Sequence, residues 1–448
     1  MNHPLSRFGS RGTRAGVALV AVALLAAASS SSSKSSSGSS SGGATATTTA
    51  TGSAGSTGSS GSTGSSGSTG STGSTGQATG APLVIGAIAS ESGAGTATSS
   101  DVPNTLHDWE NWVNSHGGIN GHPVKVTVVD DASNPAKSVT QANTFISQHV
   151  IAILDDSNVS AGWAAATQSA HIPVIGLTHS GENDTYRTNP NFFGAGMNDI
   201  ASVWGQTKAA SLTGKTKFGV LYCAEVAACQ SAIPVIKAAG AGNGVKISYT
   251  GAISSTSPNY TAQCLAAQQA GANSIVIDAS VVKVADDCAK QGYHPQWVES
   301  EGTLNQQLRT DPNYDGVIAN VAYAPWQLDN TPALQEFHAA VGKLVDTSTV
   351  PYQVIGTWTG AKLFQAAATA GVSASDTAPT AADIYKGLYG LNGTTLGGLS
   401  ASPETFVQGQ PNILKCMYMM GIKGGQWTAP YGSQTFCMPD SFLKQLGM

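Results

Sequence analysis

Gly117-Gly118-Ile119-Asn120-Gly121-His122-Pro123-Val124-Lys125-Val126 is the stretch on which the fold turns, and Asp130-Asp131 and Asn134-Pro135 follow it closely. Asn-Gly readily supplies two consecutive residues of positive φ, so the chain reverses at Asn120-Gly121. The run 124–129 then reads as a strand, with the paired aspartates at its end. Asn134-Pro135 reads as a helix start, because asparagine caps free amides and proline fits the first helical turn. The stretch is therefore a β-α unit whose strand is entered from a tight turn.

Outward from this unit the pattern repeats. Strands are predicted at 83–88, 124–129, 151–154 and 173–176, alternating with helices over 104–114, 135–148 and 161–170. On the helix 104–114, Leu106, Trp109 and Val113 share one face. A second series begins at Asp199, with a helix to about 212, a strand at 218–222, a helix through Ile233 and Ile236, and a strand at 245–249. It continues with a helix around Cys264, a strand at 274–277, a helix around Ala285 and a strand at 316–319. Such repetition predicts an α/β fold of two doubly wound lobes. The tail departs from it, with helices over 332–344, 353–370 and 381–388 and then strands at 413–421 and 426–428 joined by Ile422-Lys423-Gly424-Gly425.

Ahead of the folded part lie two segments of other character. Residues 1–28 carry Arg7, Arg11 and Arg14 and then an uncharged run from Ala15 to Ala27, too short and alanine-rich for a bilayer span and suited to an export signal peptide. A retained anchor helix is the alternative. Leu25-Ala26-Ala27 stands where a lipoprotein signal precedes its lipidated cysteine, but position 28 is Ala28 and the first cysteine is Cys223; Ala26-Ala27-Ala28 offers ordinary signal cleavage instead. Residues 29–81 are almost only Ser, Gly, Thr and Ala, a composition that cannot bury enough apolar surface to fold. They form a flexible tether with a root-mean-square span on the order of 40 Å.

Charge and motifs narrow the function. The region 82–448 holds all 26 acidic residues and 17 of the 21 basic ones, a formal charge of −9, which argues against a nucleic-acid partner. Gly214-Lys215-Thr216 lacks the leading glycine of a phosphate loop, since position 209 is Ala209, and Gly240-Ala241-Gly242-Asn243-Gly244 follows a helix and precedes a strand, the wrong order for a dinucleotide fingerprint. Neither a G-x-S-x-G elbow nor an H-E-x-x-H pair occurs there. No cofactor or metal is expected. The six cysteines fit disulfides in an exported chain better than zinc ligands. Fifteen pairings are possible; proximity favours Cys223 with Cys229, Cys264 with Cys288 and Cys416 with Cys437, and free buried thiols are the alternative.

The Gly-Gly-Ile-Asn-Gly turn before a strand that ends in paired aspartates resembles the leucine/isoleucine/valine-binding-protein family of solute receptors. The likeness covers essentially all of 82–448 and is strongest over 83–200. It implies a type I periplasmic-binding fold whose two lobes are joined by a three-crossing hinge. Lobe 1 would comprise 82–196 and about 323–411, and lobe 2 would comprise 197–322 and about 412–448.

In open parallel sheets, ligands bind beyond the carboxyl ends of the strands. The loop Asp155-Asp156-Ser157-Asn158-Val159-Ser160 resembles the family loop whose serine holds the ligand carboxylate, with two aspartates where small residues are usual. Ser157, Asn158 and Ser160 are its candidates, the register between Ser157 and Ser160 stays open, and helix capping would equally explain a serine there. The loop 176–181 matches the segment that grips an α-amino group, which assigns a backbone carbonyl to His179 and a hydroxyl to Ser180, a solvated turn being the alternative. Asp199 matches the family aspartate near the lobe crossing, or is an N-cap. In lobe 2, where the family carries an aromatic residue, this chain has Glu225-Val226-Ala227-Ala228 between two cysteines. Within 299–302, Glu301 is the candidate partner of a ligand ammonium, solvent exposure being the alternative. Tyr323 and Trp326 would wall the pocket or only pack at the hinge.

The resemblance implies a monomeric, non-enzymatic, extracytoplasmic receptor that delivers an amino acid or similar small polar ligand to the permease subunits of an ABC importer. A ligand-sensing protein that signals through a membrane receptor, or a secreted α/β hydrolase, are the other classes compatible with the sequence.

Overall fold

The computed structural model describes residues 78–93, 99–178, 184–224, 227–254, 256–278, 283–348 and 350–447. Asn120 and Gly121 take φ values of +51° and +83°, as an Asn-Gly reversal requires, and Ile119 pairs with His122 across it. The Asn120 amide also donates to the carbonyls of Thr369 and Val372, so the turn is fixed to a helix far away in sequence.

Two sheets organise the chain. The first holds β1 (Leu83–Ala89), β2 (Val124–Asp130), β3 (Ala152–Asp156), β4 (Val174–Gly176) and β5 (Phe192–Phe193) in the order β2-β1-β3-β4-β5, all parallel. β1 is apolar along its length because helices cover both faces of a parallel sheet. The second sheet holds β6 (Lys217–Cys223), β7 (Lys246–Ile253), β8 (Ser274–Asp278), β9 (Gln296–Ser300) and β10 (Ile318–Val321), in the parallel order β7-β6-β8-β9-β10. β11 (Asn392–Thr394) and β12 (Glu404–Thr405) form a separate pair. β13 (Cys416–Lys423) then joins β10 antiparallel and carries β14 (Gln426–Thr428) and β15 (Phe436–Cys437).

Three helices govern how the sheets meet. α1 (Val102–Ser115) turns Leu106, Trp109 and Val113 inward, as its periodicity predicts. α2 (Asp199–Leu212) follows the first sheet in sequence but packs on β9, β10 and β13 of the second. α3 (Pro351–Gly371) is buried on nearly every side and packs on α1 and β4, so the long segment after β10 returns to the first sheet. Two of its glycines permit that approach: a Cβ on Gly356 would lie 2.8 Å from the Tyr323 ring, and one on Gly360 2.5 Å from the Gly176 carbonyl oxygen.

The chain passes between the sheets at three places, and these are bonded together. Asn198 N–H donates to Leu414 at 3.1 Å, Ala324 to Leu399 at 2.8 Å, and Ala401 to Ala322 at 2.9 Å.

Several local expectations are refined. The strand β9 was not anticipated, and it places Glu299 and Ser300 inside a sheet; Trp297, Val298 and Glu299 lack the alternation that marks a strand with one wet face. The short edge strand β5 was also missed, because two residues carry no period. The helix expected over 332–344 stops at Val341, where Gly342 turns to φ +57°, and a short helix Leu344–Thr347 follows. The helix expected over 161–170 begins as a 3-10 turn, Ser160–Gly162, before Ala164–Ser169. The three disulfides link Cys223 with Cys229, Cys264 with Cys288 and Cys416 with Cys437, the pairs that proximity favoured.

Candidate ligand-binding crevice

The carboxyl ends of β1 to β4 lie side by side because the strands are parallel, and polar residues follow each of them. Asp131, just past β2, is fully buried. Its carboxylate accepts from the Ser90 hydroxyl at 2.8 Å, from Ser133 N–H at 2.8 Å and from the Ser157 hydroxyl, which joins the ends of β1, β2 and β3. Ala132 and Ser133 adopt φ near +56° and +55°, which is costly for residues with a Cβ. Their N–H groups donate to Asp130 and Asp131, which offsets that cost.

Asp155 is buried at the end of β3. It accepts from Ser157 N–H at 3.0 Å and from the Tyr186 hydroxyl at 2.7 Å. Burial pushes its carboxyl up to about 7, and the neighbouring Asp156 adds to the rise, while the hydrogen bonds from Ser157 and Tyr186 and the nearby Ser160 hydroxyl hold it back. The Tyr186 phenol is raised in turn, chiefly by burial and then by Asp155.

The β4 end meets the hinge. Tyr323, buried at the second crossing, aims its hydroxyl at the carbonyls of Leu177 (2.8 Å) and Thr178 (2.9 Å). Thr178 itself donates to the Gln353 carbonyl at 3.2 Å, in the first turn of α3. From the second sheet, Glu301 follows β9 and its carboxylate accepts the N–H of Ala322, beside Tyr323. Gln306, a turn further on, donates to the Ser348 carbonyl at 2.8 Å, and the Ser348 hydroxyl donates to Asp101 at the head of α1.

The sequence-derived candidates fall into place unevenly. Ser157 is buried and its hydroxyl is committed to Asp131; Asn158 is exposed, its Oδ1 accepting from Ser90 at 3.0 Å; Ser160 is buried near Asp155. These three sit together at the β3 end, and Tyr323 reaches the adjoining β4 end. Glu301 is buried rather than solvent-facing. Asp199 is not the N-cap of α2: Asn198 is, its side chain accepting from Ile200 N–H at 2.9 Å, and Asp199 is the first helical residue. Trp326 is buried with its ring against Trp427, centroids 5.2 Å apart, which ties it to the terminal hairpin. His179 and Ser180 lie outside the described residues. Tyr186 and Gln353 were not anticipated, because each acts through partners distant in sequence. The paired Asp130-Asp131 was visible as a strand end, and its three-strand junction was not.

Among the described residues, no group of three or more His, Cys, Asp or Glu is placed to hold a metal ion, and no helix is long and apolar enough to cross a membrane.

A two-sheet architecture with three crossings is that of a two-lobed binding protein. The chain belongs to the periplasmic binding protein family, whose model matches residues 82–426. Its fold is similar to that of a leucine binding protein from Thermotoga maritima MSB8, at 14% identity and a TM-score of 0.60, covering 80% of this chain and 99% of that one. A fatty acid ABC transporter substrate-binding protein from Thermomonospora curvata matches at 17% identity and TM-score 0.60, covering 80% and 95%. A solute-binding protein of an ABC transporter from R. palustris, in complex with benzoate, matches at 16% identity and TM-score 0.61, covering 80% and 98%. No curated protein sequence matches the chain. The chain is thus a periplasmic binding protein by family, and the expected type I fold is the observed one.

Proposed function

We propose that the chain is a monomeric receptor that binds an amino acid or similar small polar ligand, one per chain, between its lobes and delivers it unaltered to the permease of an importer. Lobe 1 would comprise 82–196 with about 323–411, and lobe 2 the remainder of 82–448. Captured first by the strand-end loops of lobe 1, around Asn158, Ser160, His179 and Ser180, the ligand is enclosed when lobe 2 brings Glu301 over it. Asp199, Tyr323 and Trp326 complete the walls and hinge.

The observation that carries this reading is Tyr323. Its backbone pairs with the third crossing at Ser400 while its hydroxyl holds the carbonyls at the β4 end. A ligand that engages the neighbouring 179–180 segment therefore acts on the residue around which the lobes turn, and contact with both lobes favours closure.

Titration calorimetry with amino acids, amides, amines and aromatic acids, combined with solution scattering, tests it. One-to-one binding, a smaller radius of gyration with ligand and an unaltered ligand after prolonged incubation are expected. Tyr323→Phe should weaken the best binder by about 1 kcal/mol, the usual contribution of one neutral hydrogen bond. Conversion of the ligand, or binding that leaves scattering unchanged, would overturn the proposal.

A further inference from the structure

A second cavity lies on the first sheet, at the end away from the crevice. It is formed by the turn after the helix Ala164–Ser169, the segment that enters β5, the helix Ala381–Gly390 and the loop after β12. Because the strands are parallel, the amino ends of β4 and β5 meet here, opposite the carboxyl ends of β1 to β4. The cavity measures about 780 Å³, within the range of small-molecule sites.

Its wall is aromatic. Tyr385 and Tyr389 lie one helical turn apart, with ring planes 18° from parallel and centroids 5.8 Å apart, so their faces share one orientation. Phe193 meets both of them edge-on, and Phe406 packs on Phe193 in turn. The helix that bears the tyrosines is seated backbone to backbone on α3: a Cβ on Gly387 would stand 1.8 Å from the Ala367 carbonyl oxygen, and one on Gly371 1.8 Å from that of Asp383. The aromatic platform is therefore built in advance of any ligand. Val407, beside the lining residue Gln408, is 52% exposed, so apolar surface adjoins the rim.

The polar groups of the cavity include a buried acceptor with no partner. Asn191 lines the cavity and is 4% exposed. Its amide nitrogen donates to the Thr167 hydroxyl at 3.1 Å and to the Ile172 carbonyl at 3.5 Å, while the Thr167 hydroxyl donates its own hydrogen to the Ala164 carbonyl. Both neighbours of that nitrogen are thus acceptors, which sets the orientation of the amide and leaves Oδ1 as the unpaired atom. Gln168, His171 and Gln408 add exposed donors and acceptors around it. Burial raises both phenols, which keeps them un-ionised. Among the described residues, no Lys, Arg, Asp or Glu lines the cavity. Of the charged residues nearest in sequence, Asp383 accepts from the Thr380 N–H and hydroxyl, Lys386 is exposed, and Arg187 belongs to the helix before β5.

We propose that this cavity is a second ligand site, independent of the crevice, for a neutral polyhydroxylated ring: a sugar unit of a short glycan. The C–H groups on one face of a pyranose are weakly positive and suit the negative face of an aromatic ring. Sugar hydroxyls donate as well as accept, so one of them satisfies Asn191 Oδ1 while others meet the amides of Gln168 and Gln408. A charged ligand would lose hydration here without finding a counter-charge.

Ligand-observed NMR on the full chain with cellobiose, N,N′-diacetylchitobiose and maltose tests it, with digalacturonate as a charged disaccharide and 4-hydroxybenzamide as a neutral aromatic. One or more of the neutral saccharides is expected to bind, with an affinity that salt leaves unchanged. Tyr385→Ala and Tyr389→Ala should each weaken that binding about tenfold, and Tyr389→Phe, which keeps the ring, much less. The double variant Gln168→Ala/Gln408→Ala alters only exposed positions, serves if the tyrosine variants do not fold, and should also cost about tenfold. Retention on insoluble cellulose, chitin or peptidoglycan, with release by the matching soluble sugar, would assign the site to a polymer; binding of soluble saccharides alone would assign it to a free sugar. No saccharide binding at millimolar concentration, tighter binding of digalacturonate or 4-hydroxybenzamide, or saccharide binding that the cavity variants leave unchanged overturns the inference and leaves the receptor reading standing.

Discussion

At the first sheet the strand ends are joined by hydrogen bonds that converge on Asp131 and Asp155, and no cysteine occurs there; in and around the second sheet lie all six cysteines, closed into three disulfides. The two regions therefore reach order by different routes. Hydrogen-bonded carboxylates hold loops in one arrangement while remaining sensitive to protonation and to the loss of a single acceptor. Disulfides instead restrict the unfolded chain and are insensitive to mild pH change. The contrast also suits the proposed division of labour, in which one set of loops presents polar groups to a ligand and the other lobe moves as a stiff body.

The sharpest way to break the comparison is Asp131→Ala. It removes the common acceptor of the Ser90 and Ser157 hydroxyls and of Ser133 N–H. Leaving buried donors without partners should cost on the order of 4 kcal/mol. Hydrogen exchange should then show lost protection in β1, β2 and β3, with β6 and β8 nearly unchanged. Equal loss across both sheets would mean that the regions unfold as one unit and that the contrast has no energetic content.

A somewhat smaller effect is expected on the other side. Cys264 and Cys288 lie on the helices Thr261–Gln269 and Lys283–Ala289, 24 positions apart in sequence, and both are buried. Replacing both by serine should cost about 3 kcal/mol through the lost constraint on the unfolded chain. The destabilisation should appear in denaturant unfolding followed at Trp297, which packs in the same cluster, and should leave first-sheet exchange intact. A variant as stable as the parent would show that hydrogen bonding and packing alone hold this region.

A third expectation concerns pH, at the β3 end of the first sheet and at the third crossing. Burial pushes Asp155 up to about 7 and Glu404, buried beside Ser400 at the third crossing, up to about 8. Unfolded carboxyls ionise near pH 4, so between about pH 4 and 8 the folded chain holds more protons than the unfolded one. Stability should consequently fall as pH rises through this window and level off above it. Glu404→Gln should flatten the upper part, between about pH 7 and 8. Thermal melts across that range in a low-salt buffer provide the measurement, and stability that rises through the window in the parent chain would contradict the protonated assignments.

Much of this architecture was legible in the letters. The Asn120-Gly121 reversal, the apolar run of β1 and the Asn134-Pro135 helix start are local signals, each carried by the backbone preferences of a few neighbouring residues. They sufficed for the alternating order of strands and helices, and the proximity of the cysteines sufficed to favour their pairing. Elements without a period of their own, such as β5 and β9, were not.

What tertiary structure alone decided is the use of the polar residues. Ser157 reads in sequence as a candidate ligand contact or a cap, and in the structure its hydroxyl holds Asp131, 26 positions away; Asp199 reads as a candidate ligand residue or a cap, and the cap is Asn198. Tyr323 reads as a pocket wall or as hinge packing, and its hydroxyl holds carbonyls 145 and 146 residues earlier. Periodicity is set by local backbone geometry and survives without partners, whereas a hydrogen bond exists only when a donor and an acceptor from separate segments come within about 3 Å at a workable angle. Sequence alone therefore determined which elements form and in what order, and only their packing determined which side chains remain for a ligand.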